Sequence, residues 1–300
     1  MTVADASRLV VRAPGAIRAN DVVLKLWGDD VSGQVNDEIF VSNEKIQQMR
    51  FTMPPGARFT HSPAYRTAMG ADEVYHVLRG RLVLANPETG EVHVARAGDA
   101  VAFGRDTWHH GFSDGDDALD VMQYFAPPPA TGSSQAYART RPFLERATYV
   151  QDEWLRRWPD AAGDARTAAS MQVLREADAL WRVEGDAHPI VVAVLRSTDE
   201  LTSGTVELRP GQRSDERTHG GDLAGFVTAG RLHLFLPRLE VPGAGNGWFR
   251  MDAGDGFYVP AGEPYRLHNM GDVRVRFLFG VAPAYLDAHA PAGAEAPTPA

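Results

Sequence analysis

The chain has 300 residues, 44% of them hydrophobic and 23% charged, with a formal net charge of -9 and no cysteine. That length and composition admit one large or two ordinary globular domains, and the acidic balance argues against a nucleic-acid partner. Without thiols, disulfides and thiolate metal ligands are excluded, so any metal must be held by His, carboxylate or backbone oxygen.

No run of about 18 apolar residues occurs, so no membrane-spanning helix is expected. Residues 1–15 are mixed polar and lack the apolar segment of a signal peptide. The expectation is a cytoplasmic protein with no membrane partner.

Residues 20–130 read as a first β domain. A strand at 49–53 is closed by Pro55-Gly56. Glu73-Val74-Tyr75-His76-Val77-Leu78 alternates, turns at Arg79-Gly80, and continues as Arg81-Leu82-Val83-Leu84. Further runs at 100–103 and 119–125 follow the same style, and short strands between turns predict an all-β sandwich or barrel. Residues 131–187 read as a linker. After Pro127-Pro128-Pro129, the spacing of Phe143, Ala147, Val150, Trp154, Leu155 and Trp158 predicts a helix over 142–158. Asp164 is placed to cap a second helix reaching Leu180. Residues 188–286 read as a second β domain, and the Ala/Pro-rich residues 287–300 as a disordered tail.

The halves repeat. Gly56, Gly80 and Gly98 correspond to Gly211, Gly230 and Gly254, at offsets of 155, 150 and 156. An extra loop at 62–71 in the first half accounts for the dip between the first two offsets, and an internal period of this size marks a duplicated unit.

The repeat resembles the cupin superfamily, whose two motifs are Gly-x5-His-x-His-x3,4-Glu-x6-Gly and Gly-x5-Pro-x-Gly-x2-His-x3-Asn. In the first half, Glu73-x6-Gly80 matches the end of the first motif. Gly98-x5-Gly104-Arg105-Asp106-x2-His109 matches the second, with Gly104 for the usual proline and Ser113 for the usual asparagine. His61 is what remains of His-x-His. In the second half, Arg217 and Leu223 replace a histidine and the glutamate. His219 and Asn269 remain, and Tyr265 stands where the last histidine belongs.

The resemblance implies two tandem jelly-roll cupin β-barrels joined by a helical linker, with one metal site, in the first barrel. Its ligands would be His61, Glu73 and His109, a two-His-one-carboxylate set that suits Fe(II) and can also hold Mn, Ni, Zn or Co. The chemistry this implies is that of an Fe(II)-dependent dioxygenase on a small organic substrate. The alternatives are a redox-neutral isomerase, epimerase or lyase acting on a sugar or keto acid, and a non-catalytic small-molecule-binding cupin. Tyr124 and His110 are the candidate bases. Arg50, Arg66, Tyr75, Trp108 and Gln123 are candidate substrate contacts, the arginines through a bidentate fork to a carboxylate. His76, at an odd separation from Glu73, is expected on the opposite face of its strand, and His110 is expected to point away from His109. The second barrel is read as structural and the family habit implies a homodimer.

Overall fold

The alternating runs pair as strands, and the pairing carries the repeat. The computed structural model describes residues 10–127, 142–241 and 245–286. The first half holds β1 (Gly15–Ile17), β2 (Val23–Asp29), β3 (Gly33–Ser42), β4 (Gln47–Met53), β5 (Arg58–Phe59), β6 (Asp72–Arg79), β7 (Arg81–Ala85), β8 (Val92–Arg96), β9 (Ala100–Phe103), β10 (His110–Ser113) and β11 (Leu119–Ala126). The second holds β12 (Met171–Leu174), β13 (Leu180–Glu184), β14 (Ile190–Ser197), β15 (Thr202–Leu208), β16 (Asp222–Ala229), β17 (Arg231–Val241), β18 (Gly245–Asp252), β19 (Gly256–Val259), β20 (Arg266–His268) and β21 (Val275–Ala282).

Each domain is a pair of facing sheets. The expected closed barrels are not formed. In the first domain a seven-stranded sheet, ordered β12-β9-β6-β11-β4-β3-β2, faces a four-stranded one, β5-β10-β7-β8. In the second, β1-β19-β16-β21-β15-β14-β13 faces β18-β17-β20. Two sheets packed face to face bury a side-chain layer between them without continuous hydrogen bonding around the wall.

The edge strands are exchanged. β1 lies in the first half but pairs with β19 of the second, and β12 pairs with β9 of the first. Gly15 and Met171 are 156 positions apart, as are Ala100 and Gly256, so the exchange follows the repeat. Arg18 fixes the first exchange through its ion pair with Asp255 at 2.7 Å.

The large sheets also pack on each other. Val74, Met122 and Tyr124 from one share a buried layer with Ala224, Phe226 and Leu278 from the other, and Phe40 meets Phe226 edge to face at 5.5 Å. Strands such as β11 are therefore buried on both faces, which gives near-continuous apolar sequence. The clasp at the rim is reciprocal. Asn43 donates to Asp222 at 2.8 Å, and Thr198, its counterpart in the repeat, donates to Asp72.

The helical linker is the second correction. Within 142–187 the helical residues are single 3-10 turns at Asp152–Trp154 and Glu176–Asp178 and one short helix, α1 (Ala162–Ala168). Tertiary partners override helix propensity here. Met171–Leu174 completes the free edge of β9, and buried Glu91 accepts hydrogen bonds from Ser170 N at 2.8 Å, Ser170 Oγ at 2.6 Å and Met171 N at 3.0 Å. The proposed linker residues 131–141 and the tail at 287–300 lie outside the described residues.

Candidate functional site

Period-two alternation turns one set of side chains from four neighbouring strands into the first domain. Directly paired residues share a face. Asp37 pairs with Phe51, Met49 with Gln123, Gln123 with Tyr75, and Phe125 with Glu73. His109 arrives from the opposite side, in the turn before β10. Asp106 (φ 57°) takes the left-handed conformation there that Gly262 (φ 72°) takes in the second domain. An aspartate tolerates this backbone better than most residues do. The backbone N–H of His109 donates to Thr67 O at 2.9 Å, which ties the turn to the extra loop.

These residues surround a narrow pocket of about 40 Å³, with Trp27, Phe51, Phe59, Met69 and Phe125 as its apolar walls and Asp37, Thr67, Tyr75, His109 and Gln123 as its polar groups. That is room for a few waters or a very small molecule. Thr67 Oγ1 is buried and has no hydrogen-bond partner.

The proton positions can be derived. His109 Nδ1 lies 3.2 Å from Thr107 O, a carbonyl, so Nδ1 carries the hydrogen. Burial lowers the His109 pKa to about 4, so the ring is neutral and Nε2 is an acceptor. Tyr75 Oη lies 3.2 Å from that Nε2. The same hydroxyl bonds the Glu73 carboxyl, and Gln123 Nε2 donates to Glu73 Oε1. Burial is the largest influence on Glu73 and raises its pKa to about 7, against the lowering effect of the bonds from Tyr75 and Gln123. Tyr75 has one proton and two acceptors. With Glu73 protonated, a chain Glu73 O–H to Tyr75 O–H to His109 Nε2 satisfies every member. With Glu73 ionised, Tyr75 must choose between the carboxylate and the imidazole.

Not all the expected site residues meet here. Tyr75, His109 and Gln123 line the pocket, and Glu73 is buried next to them, bonded to Tyr75 and Gln123. His61 does not join them. Its Nδ1 bonds His110 Nε2 at 2.7 Å and its Nε2 donates to Leu144 O at 2.8 Å, outside the pocket. The extra loop carries the ring onto the linker. His110, expected to point away from His109, is buried with His61 and bonds Tyr149 Oη at 2.7 Å through Nδ1, so it is no base for this pocket. Tyr124 faces the other domain, accepting from Gln48 Nε2 at 2.9 Å, because it alternates with the pocket residue Gln123. Arg50 alternates with Met49 and Phe51 in the same way and is paired with Glu38 at 2.6 Å. Arg66 lies over the Phe143 ring at 5.8 Å. Trp108 is buried against the His61 ring at 4.8 Å. His76 does turn to the opposite face, where its Nε2 meets Ser203 Oγ of the second domain at 2.8 Å. Asp37 and Thr67 are pocket residues that the motifs do not flag, although Asp37 sits in phase with the apolar Val35 and Ile39.

The second domain is filled at the equivalent place. Gly225 stands where the first domain has Tyr75, and a Cβ there would lie 2.1 Å from the Phe257 ring. His219 Nε2 is 2.8 Å from Tyr265 Oη, and Arg217 is held by Glu184 and by Tyr285 Oη.

A duplicated pair of facing sheets with exchanged edges, with a polar-lined pocket in the first interior and packed side chains at the equivalent place in the second, defines a two-domain β-sandwich. The chain belongs to the cupin family: the cupin domain model matches residues 49–124 and again 204–281. No curated protein sequence is similar enough to match the chain. Solved structures share the fold. AerE from Microcystis aeruginosa is 11% identical, with 87% of this chain and 97% of that one covered and a TM-score of 0.56. A protein from Pseudomonas aeruginosa described as glyoxylate induced is 15% identical, covers 94% and 93%, and gives 0.61. Oxalate decarboxylase from Bacillus subtilis is 15% identical, covers 93% and 78%, and gives 0.58.

Cupins commonly bind a metal. Here Glu73 and His109 stand at two of the motif's ligand positions, but among the described residues no group of three or more His, Asp or Glu side chains comes together to hold an ion. The two-His-one-Glu set is therefore not assembled: His61 is held by His110 and Leu144 outside the pocket, and the Tyr75 hydroxyl bonds both His109 and Glu73.

Proposed function

We propose that the first-domain pocket binds a very small carbonyl compound, of the size of a short keto acid, and moves a proton within it, as a redox-neutral isomerase or lyase does. The observation that carries this reading is the Tyr75 hydroxyl held between the Glu73 carboxyl and His109 Nε2. A general acid–base group works best when its pKa lies near the working pH, and burial brings Glu73 to about 7. Glu73 takes or returns the substrate proton through the Tyr75 hydroxyl, which lines the pocket and passes its own proton to the carboxylate as it accepts the substrate's. Tyr75 switches its hydroxyl between Glu73 and His109 as the carboxyl changes charge. Gln123 holds Oε1 of Glu73, and the aromatic walls exclude bulk water, which strengthens these polar contacts. A cytoplasmic setting is the expectation from the sequence, and a homodimer is the one the family resemblance implies.

The second reading is metal-dependent chemistry, Fe(II) or Mn(II), which Glu73 and His109 at motif positions favour, as does the Mn(II) named for the Bacillus subtilis oxalate decarboxylase. An Fe(II)-dependent dioxygenase belongs to this reading. One experiment separates the two. The protein is stripped of metal and incubated in D2O with a panel of small keto acids and keto sugars, and C–H exchange is followed by NMR. The acid–base reading expects exchange that persists without metal and falls at least about 100-fold in Glu73→Gln. Exchange that appears only with stoichiometric metal, or that needs oxygen, overturns it in favour of the metal reading.

A further inference from the structure

Both seven-stranded sheets extend past the contact between the domains, and each ends in an edge strand with an open apolar face. On β2, Leu24 and Leu26 are 68% and 60% exposed; on β13, Trp181 and Val183 are 52% and 73% exposed. The repeat relates them, Leu24 to Trp181 and Leu26 to Val183, each 157 positions apart.

The register fixes the face they occupy. Leu24 pairs with Glu38, Glu38 with Arg50, and Arg50 with Met122, which is buried between the domains. Trp181 leads through Ala193 and Thr205 to Leu278, buried in the same layer. Both strips are thus continuous with the inter-domain interface and bare only where the opposite sheet stops short. Edge strands normally carry charge, bulges or cover against further pairing, and contiguous exposed apolar surface marks a contact site.

The two strips differ in charge. Along the face that carries Leu24 and Leu26, Glu38, Asp117 and Asp120 outnumber Arg50 and Arg79. In the groove lined by Trp181 and Val183, Arg209, Arg274 and Arg276 outnumber Glu176 and Glu207. The strips also look in opposite directions, since each belongs to the inner face of one of two opposed sheets. They can meet only when they come from different molecules.

We propose that the β2 strip of one copy seats on the β13 strip of a second copy, continuing the two-sheet layer from molecule to molecule. Such a contact is head-to-tail and forms reciprocally in a dimer or in sequence around a closed ring.

The absence of native cysteine makes the test direct. Leu26→Cys and Val183→Cys variants are oxidised separately and as a mixture, and the products are sized. The expected result is a linked two-chain species in the mixture and none in either variant alone. In sedimentation, Leu26→Glu should fall to the mass of a single chain while its circular dichroism stays that of the parent. Self-linking of either variant alone, no linking in the mixture, or a parent chain that sediments as a monomer at tens of micromolar each overturns the proposal.

Discussion

The ring of Tyr124 occupies the space that a side chain at Gly280 would need: a Cβ there would lie 2.5 Å from a ring carbon. The two positions correspond in the repeat, 156 residues apart, so the contact is an asymmetric solution to a symmetric problem. Two bulky residues cannot meet at that point of the domain interface, and one half gave way. Gly280→Ala should therefore destabilise the protein by about 1–3 kcal/mol, the usual effect of overpacking a closed core. Equilibrium denaturation measures it, and a change below about 0.5 kcal/mol would mean that the interface yields more readily than its packing indicates.

The buried carboxyl of Glu73 predicts a pH dependence of known sign. Its folded pKa is raised to about 7 from an ordinary 4.5. Between those values the folded chain holds a proton that the unfolded chain releases. Stability therefore falls as pH rises through this window, by a total of about 3 kcal/mol at the conversion of 1.36 kcal/mol per unit. Glu73→Gln removes the penalty. In metal-free protein, the variant should gain on the parent between pH 5 and pH 8. Parallel urea titrations at the two pH values decide it, and an unchanged difference refutes the assignment.

His76 predicts the opposite sign. Burial, with the positive charge of Arg276, lowers its pKa from 6.5 to about 3. Below 6.5 the unfolded chain takes up a proton that the folded chain refuses, so stability falls with acid by about 1.4 kcal/mol per unit across that window. His76→Gln keeps a polar partner for Ser203 and should flatten the acid limb. Thermal melts at pH 4 and pH 7 test this; a variant as acid-sensitive as its parent would place the responsible group elsewhere.

The exchanged edge makes a prediction about distance in sequence. Removing residues 1–18 deletes β1 and the Arg18 partner of Asp255, and so bares the β19 edge. Amide exchange should accelerate at Gly256 and Tyr258 in the second domain, which pair with Ile17 and Gly15. The β6 and β11 amides should stay protected. Loss of protection spread evenly over both domains would count against a local edge effect.

The repeat and the all-β architecture were legible in sequence because turn glycines, alternation and motif spacing are local signals. What was hidden depended on surroundings. β11 is buried on both faces, so its apolar pattern could not tell that Gln123 looks into the pocket and Tyr124 out of it. Arg50 was misplaced for the same reason, one residue out of phase with Met49. The path of the extra loop decides where His61 goes, and no periodicity encodes a loop. Over 142–158 the 3.6-residue spacing is real, but the segment is drawn instead into contacts of Leu144 and Tyr149 with His61 and His110. Asp37 could have been found: a carboxylate in phase with buried neighbours is a signal that motif matching overlooks.

The second half has kept its shape while its interior filled with side chains, and the interface explains what it still contributes. Its large sheet is the wall against which the outer face of the first domain's main sheet rests. Without it, His76, Tyr124 and the apolar residues between them would meet water, on the very strands whose opposite faces carry Glu73, Tyr75 and Gln123. Drift in the filled half is therefore limited by the geometry it imposes on the other, and a patient search for substitutions that disturb the pocket should find some of them far from it, on the wrong side of the duplication.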